Sequence, residues 1–187
     1  MPAKKTKTKE WYSIIAPKMF DEREIGKTMI SDPDNLVGRK VNLSILELTD
    51  DFSKYYMKIS FQVDKVDEKK AYTTFTGTEV MRDYISRLVL RRVRRIDNVE
   101  NVTTKDGFKI VVKTVAIVPR RIKSSIQKVI RVEIKSMVKE DVEKISLEEF
   151  VQSVLSDELK NKILRRIRRI YPVRTFEIRK VEAISKQ

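Results

Sequence analysis

An α+β fold is what the sequence predicts, with about six strands curled into a partly closed, antiparallel, barrel-like sheet and amphipathic helices along its flank. Three observations carry this expectation. Residues 55–63 alternate apolar and polar side chains at strand period; residues 108–118 form a long β-branched apolar run; and residues 124–170 repeat apolar positions at helical spacing. The element order read from these patterns is β-β-β-α-β-β-α-α-α-β, and such segregated runs belong to the α+β class. A chain of 187 residues can bury roughly two-thirds of its unfolded surface, so a real core is possible.

Taken in order, residues 1–10 (MPAKKTKTKE) are too polar to bury anything and are expected to be a disordered basic tail. Residues 11–187 are expected to form one α+β domain. Residues 41–48 supply a first strand. Tyr55, Met57, Ile59, Phe61 and Val63 then line one face of a second, and a charged turn over residues 67–70 leads to a third, rich in Tyr, Thr and Phe. After Gly77, the spacing of Met81, Ile85 and Val89 predicts a helix. A hairpin follows around Asp106-Gly107, because Asp-Gly suits the tightest two-residue turns, and Pro119 ends its second strand. Ser124 or Ser125 is placed to cap a helix whose stripe is Ile126, Val129, Ile130, Ile134, Met137 and Val138. Ser146 with Glu149 forms a capping box, and Asp157 with Glu158 favours one more helix start. Tyr171-Pro172 stops that helix before a final strand over residues 173–181.

Charge narrows the function. Lysine and arginine total 41 against 27 acidic residues, a formal charge of +14, which points to a polyanionic partner. The excess is segregated: residues 81–135 carry fifteen basic and five acidic side chains and residues 161–187 nine and two, flanking an acidic stretch over 136–160. There is no cysteine and no histidine, which excludes disulfides, thiolate or imidazole catalysis, and thiol or imidazole metal ligands. No apolar run approaches the ~20 residues of a membrane span, and no apolar segment follows the basic N-terminus. A soluble, intracellular protein is expected.

The most informative local feature is a duplicated heptad, Leu-Arg-Arg-Val-Arg-Arg-Ile over residues 90–96 and Leu-Arg-Arg-Ile-Arg-Arg-Ile over 164–170. The same offset pairs Met81 with Leu155, Ile85 with Leu159 and Val89 with Ile163, so the preceding stripe is duplicated too. Each box precedes an expected strand. On a helix the four arginines span about 160° and the three aliphatics about 120° on the other side, whereas a strand mixes the two on each face. Both boxes are therefore expected to be helical arginine ridges, whose guanidinium groups fork onto phosphate and stack on unpaired bases. Ordinary solvated faces, anionic lipid or an acidic protein partner are the competing readings.

Enzyme-like fragments are weaker. Gly26-Lys27-Thr28 resembles the end of a phosphate-binding loop, but Asp21 stands where the motif needs glycine. Asp32, Asp34, Asp50 and Asp51 are the residue type that holds magnesium, yet Pro33 and Asn35 give the first pair the composition of a turn. No cofactor, no metal and no enzymatic activity is expected.

Several strings in order, Lys9-Glu10-Trp11-Tyr12, Ala16-Pro17-Lys18-Met19-Phe20, Ile25-Gly26-Lys27-Thr28, Phe75-Thr76-Gly77, Arg82-Asp83, Val102-Thr103-Thr104-Lys105-Asp106-Gly107-Phe108, Ile170-Tyr171-Pro172 and Ile178-Arg179-Lys180-Val181, make the chain resemble the archaeal and eukaryotic small-ribosomal-subunit protein family eS-one, also called S-three-a-e. The resemblance covers nearly the whole chain. It implies a cytoplasmic, structural constituent of the small ribosomal subunit that binds rRNA at the platform near the mRNA exit, with platform proteins as neighbours, mRNA as a further contact and no catalysis. Eukaryotic members carry a long extension after the position of Gln187 and a basic insertion near Arg121; their lack here implies an archaeal-type source. A free RNA- or mRNA-binding regulator is the alternative.

From the residues themselves, RNA contact is expected at Lys4, Lys5, Lys7 and Lys9 in the tail and at Arg91, Arg92, Arg94 and Arg95 in the first box. The second box adds Arg165, Arg166, Arg168 and Arg169, and further contacts are expected at Arg120, Arg121, Lys123, Arg174, Arg179 and Lys180. Trp11 and Tyr12 either stack on a base or anchor the root of the tail, and Phe108 is open to the same two roles.

Overall fold

A computed structural model describes residues 8–49 and 51–186. The tail residues Lys4, Lys5 and Lys7 therefore lie outside the described residues, and Lys9 within them. The protein is α+β, with eight strands and five α-helices among the described residues, and divides into two compact units after Gly77.

In the first unit, β1 (Glu10–Ile15) pairs antiparallel with β2 (Glu24–Ile30), and β3 (Lys40–Ser44) runs into a short helix, α1 (Ile45–Thr49). β4 (Met57–Asp67) and β5 (Lys70–Val80) are the expected hairpin, turning at Glu68 with φ 48°. Tyr12, Ile14, Leu36, Val63 and Ala71 form a buried cluster, and Phe61, fully buried, meets the edge of Phe20 at 5.6 Å between ring centroids.

Three expectations change here. β1 and β2 were not visible as alternation, because a register shift at Ile14/Ile15 breaks the period of β1 and no side chain of β2 is fully buried. Residues 41–48 do not make one strand: Ile45 and Leu48 are buried from a helical turn, a spacing that a strand cannot place on one face. The sheet is not wholly antiparallel, since β1 runs parallel to β5 over Ser13–Lys70, Ile14–Ala71 and Ile15–Tyr72.

The second unit is built on β7 (Phe108–Val118), whose side chains from Thr114 to Val118 are all buried. One edge pairs with β6 (Arg94–Thr103) over ten residues and the other with β8 (Thr175–Lys186). The Asp-Gly turn joins β6 to β7 as expected: Gly107 has φ 80°, and Thr104 N–H donates to the Phe108 carbonyl. Asp106 also accepts from Leu147 N–H, tying the turn to a helix start. Among the described residues the strand pairings do not close into a barrel, in either unit.

α2 (Arg82–Leu88) precedes β6, while α3 (Ser124–Val142), α4 (Leu147–Leu155) and α5 (Glu158–Ile167) lie between β7 and β8. α3 buries Ile130, Ile134, Val138 and Val142 at intervals of four, but Val129 is exposed and Gln127 is buried in its stead. Its N-cap is Lys123, not serine, and no side chain caps it. α4 shows the full capping box at Ser146 and Glu149, and α5 buries Leu159, Ile163 and Ile167. The last strand begins at Thr175 and runs to Lys186, later and longer than expected.

One polar cluster is buried in this unit. Lys160 Nζ lies 2.9 Å from Glu177 Oε1, which also accepts from Tyr84 Oη. Burial pushes the Glu177 carboxyl above its ordinary value, and its hydrogen bond to Lys160 opposes that shift. A raised folded-state value makes the carboxylate a destabilising group that is silent below the unfolded value and grows as pH rises through the folded one.

Two measurements check this architecture. Ser146→Ala is expected to cost about 1 kcal/mol in urea denaturation, because one first-turn amide loses its acceptor. Lys160→Met is expected to cost about 3–5 kcal/mol at pH 7 by removing the cationic partner of the buried Glu177, which keeps the neutral Tyr84 hydroxyl as a donor. That gap from the parent is expected to narrow at about pH 4, where Glu177 is increasingly protonated in either state.

Candidate nucleic-acid interface

Antiparallel pairing decides where the basic residues of the second unit gather. Arg94 pairs with Val118 and Thr175 with Ile117, so β6 and β8 start at the end of the sheet where β7 stops. The first box enters β6 there, Arg120, Arg121 and Lys123 follow β7 there, and the second box leads through Arg174 into β8 there. Arg174 N–H fixes this approach by donating to the Ile117 carbonyl at 2.8 Å. Two sequence-distant boxes and a third basic segment thus share one sheet end.

The boxes reach it in different conformations. The second box is helical through Ile167, and Arg168 follows as the C-cap of α5. The first is not a helix: α2 ends at Leu88, Arg91 and Arg92 lie in a turn with Arg92 at φ 69°, and Arg94 and Arg95 belong to β6. The reason is tertiary. The apolar strand β7 needs a partner on its open edge, and ten paired residues outweigh the local amphipathicity that favoured a helix. Ile96 is fully buried from that strand.

Several arginines, exposed ones included, hydrogen-bond within the chain. Arg94 Nε donates to Gln127 Oε1, Arg95 bonds Asp97 at 2.7 Å, and Arg166 bonds Glu133 of α3 at 2.7 Å. Arg168 donates to the carbonyls of Val173 and Arg174, holding the connection between α5 and β8. Arg91, Arg92, Arg120, Arg121, Lys123, Arg165, Arg169 and Arg174 are exposed. Arg165 and Arg169 also line a groove of about 660 Å³ whose wall includes Glu133, Glu140 and Glu158, so their field is partly cancelled.

Arg179 and Lys180 lie within β8, several residues from its start. Lys180 sits 2.9 Å from Glu182 and 3.2 Å from Glu79, and these hydrogen bonds, Glu182 foremost, raise its pKa. Arg179 lines a hollow of about 430 Å³ with Arg82, Arg95 and Lys113. Arg82 and Lys113 were not among the RNA contacts expected from the sequence, since no periodicity links α2 to β7.

In the first unit, Lys9 is exposed ahead of β1, Trp11 is 57% exposed and Tyr12 is buried. The pair therefore splits: Tyr12 is buried in the core cluster, while Trp11 is largely exposed. Phe108 is half-buried at the start of β7. Lys27 and Lys69, also missed, line a hollow with Trp11.

The discarded fragments have structural uses. Gly26-Lys27-Thr28 is extended within β2, not a phosphate loop. Pro33-Asp34-Asn35 is a single helical turn, and Asp51 caps another by accepting from Ser53 N–H and Oγ. Asp50 lies outside the described residues. Among the described residues no three acidic side chains gather as a metal site, and no helix is long and apolar enough to cross a membrane.

Comparison with known proteins agrees with the sequence resemblance. Residues 3–187 match the Ribosomal S3Ae family. The chain belongs to that family. Its S3Ae-family relatives include the small ribosomal subunit protein eS1 of Methanopyrus kandleri, 39% identical over 185 residues that cover 97% of this chain and 88% of that protein. The eS1 protein of Methanothermobacter thermautotrophicus is 40% identical over 179 residues, covering 96% and 92% respectively. That of Archaeoglobus fulgidus is 36% identical over 179 residues, covering 95% and 85%. The S3Ae family is one of ribosomal proteins, not of enzymes, and this member resembles archaeal ones.

The division among the arginines has a measurable counterpart. Arg168→Gln is expected to lower stability by about 1 kcal/mol, because two backbone carbonyls are deprived of their donor. Arg165→Gln is expected to leave the urea midpoint within error, since its guanidinium holds nothing together.

Proposed function

We propose that the protein is a structural constituent of the small ribosomal subunit in the cytoplasm. In this reading it binds rRNA at the platform near the mRNA exit, beside other small-subunit proteins, with mRNA within reach. Membership of a ribosomal family supports the subunit; the site rests on a separate observation. That observation is the convergence of the first arginine box, the Arg120, Arg121 and Lys123 segment and Arg174 on one end of the β6-β7-β8 sheet. Such a concentration of guanidinium groups suits the closely spaced phosphates of folded RNA, which fork onto arginine bidentately. Lys4, Lys5, Lys7 and Lys9 are proposed as further RNA contacts by charge, with residues 11–187 as the rRNA-binding domain. Arg166, Arg168 and Lys180 hold the chain's own elements in place and contribute to RNA binding mainly through their field.

The test uses the purified full-length protein and small-subunit rRNA. Replacing Arg91, Arg92, Arg120 and Arg121 together by glutamine is expected to flatten log affinity against log salt by up to about 3, at about 0.7 for each phosphate no longer neutralised. Replacing Arg165 and Arg169 is expected to flatten it by no more than about 1.4. Unchanged affinity and slope in the first variant, with native circular dichroism, overturns the sheet end as an interface. Cofractionation with small subunits through a high-salt wash supports the ribosomal role, and occurrence only in the soluble pool favours a free RNA-binding regulator. Crosslinks from the sheet end to rRNA remote from the platform overturn the proposed location.

A further inference from the structure

The first unit carries an open sheet face that the arginine surface does not account for. Residues paired across strands share a face, and the pairs here are Trp11 with Met29, Ser13 with Lys27 and Ser13 with Lys70, followed by Ile15 with Tyr72, where Ile15 is buried and the open part of the face ends. The opposite face holds Tyr12, Ile14 and Ala71 in the core. On the open face Trp11 is 57% exposed, Met29 46% and Tyr72 39%. Trp11, Ser13, Lys27 and Lys69 surround a hollow of about 440 Å³.

An exposed tryptophan costs hydration free energy unless something covers it, and the charges around this one indicate what does. Lys27, Lys69 and Lys70 are all exposed. Two carboxylates accompany them: Glu10 lies 3.4 Å from Lys69, and Glu24 lies 3.7 Å from Lys27 while accepting from Ser13 Oγ. Solvent-exposed pairs of this kind are weak, and a phosphate displaces the carboxylate readily. Lysine is depleted at protein–protein interfaces, whereas an aromatic ring flanked by lysines is what unpaired nucleic acid requires, a flat surface for the base and cations for its backbone. Bases within a duplex are already stacked on one another and cannot reach such a ring.

We propose that this face is a stacking platform for an unpaired RNA nucleotide, with its base on the Trp11 indole and the flanking phosphates at Lys27 and Lys69. This rests on the reading of the protein as an RNA binder and adds single-strand selectivity at a second place. Stacking on a ring does not depend on base identity, so the platform is expected to accept any unpaired base.

Trp11 is the chain's single tryptophan, which makes its fluorescence a direct reporter. Titrating the full-length protein with a short single-stranded RNA is expected to quench that emission to saturation, and the matching duplex is expected to leave it nearly unchanged. Trp11→Ala is expected to weaken single-strand binding by roughly five- to 150-fold, the range for removing one base–aromatic stack. Trp11→Phe, which keeps a ring, is expected to recover much of the affinity, with circular dichroism unchanged in both. Absence of quenching together with unaltered affinity in Trp11→Ala overturns the platform. If the sheet-end arginine variant still loses rRNA affinity in that case, the RNA-binding reading stands without it; if neither variant loses affinity, both fall. Quenching by a neighbouring small-subunit protein, and not by RNA, assigns the face to a protein contact and likewise overturns the proposal.

Discussion

Strand β7 sets the terms for the second unit. Eleven residues long and buried along its second half, it carries backbone amides and carbonyls that must be paired on both edges and side chains that must be covered. β6 and β8 satisfy the edges. α3, packed on β6, and α5, packed on β8 and α3, supply apolar cover from stripes spaced four residues apart. Because both partner strands run antiparallel to β7, their beginnings are forced to its C-terminal end. The location of the basic cluster is thus a by-product of satisfying an apolar strand.

This explains which parts of the molecule were legible in sequence. Residues 57–67, 108–118 and 147–155 carry their own periodicity or capping signal, and local pattern agrees with tertiary need. β2 has no such signal, since an edge strand half-exposed on both faces lacks a dominant period. The first arginine box was misread for a sharper reason. Its seven residues partition well on a helix, and the pairing that overrides this lies twenty to twenty-four positions away, where no local pattern can register it. The basic residues of the proposed interface were legible one by one, because charge type is written in the sequence, but not as a cluster, because only strand order brings residues 91–95, 120–123 and 174 together.

Position within the fold also separates arginines that look equivalent in sequence. Arg92 and Arg166 occupy the same place in their heptads, yet Arg92 is exposed in a turn while Arg166 is held by Glu133. Arg94 reaches Gln127, and its counterpart Arg168 bonds two backbone carbonyls. A guanidinium engaged in internal hydrogen bonds is charged all the same but already has partners for its donors. Repeats of charge therefore count as repeats of function only after those internal partners are subtracted.

The backbone at Arg92 carries a further implication. Five described non-glycine residues have positive φ, and Arg92 is the basic one among four acidic companions. A left-handed conformation costs an ordinary L-residue about 1–2 kcal/mol relative to the right-handed region, and glycine there would relieve it. The turn thus gives up part of the chain's folding stability to hold a cation at the entrance to β6. That strain is local to the entrance of β6, so if the proposed phosphate contact forms at Arg92, this segment is where it would offset a cost of folding.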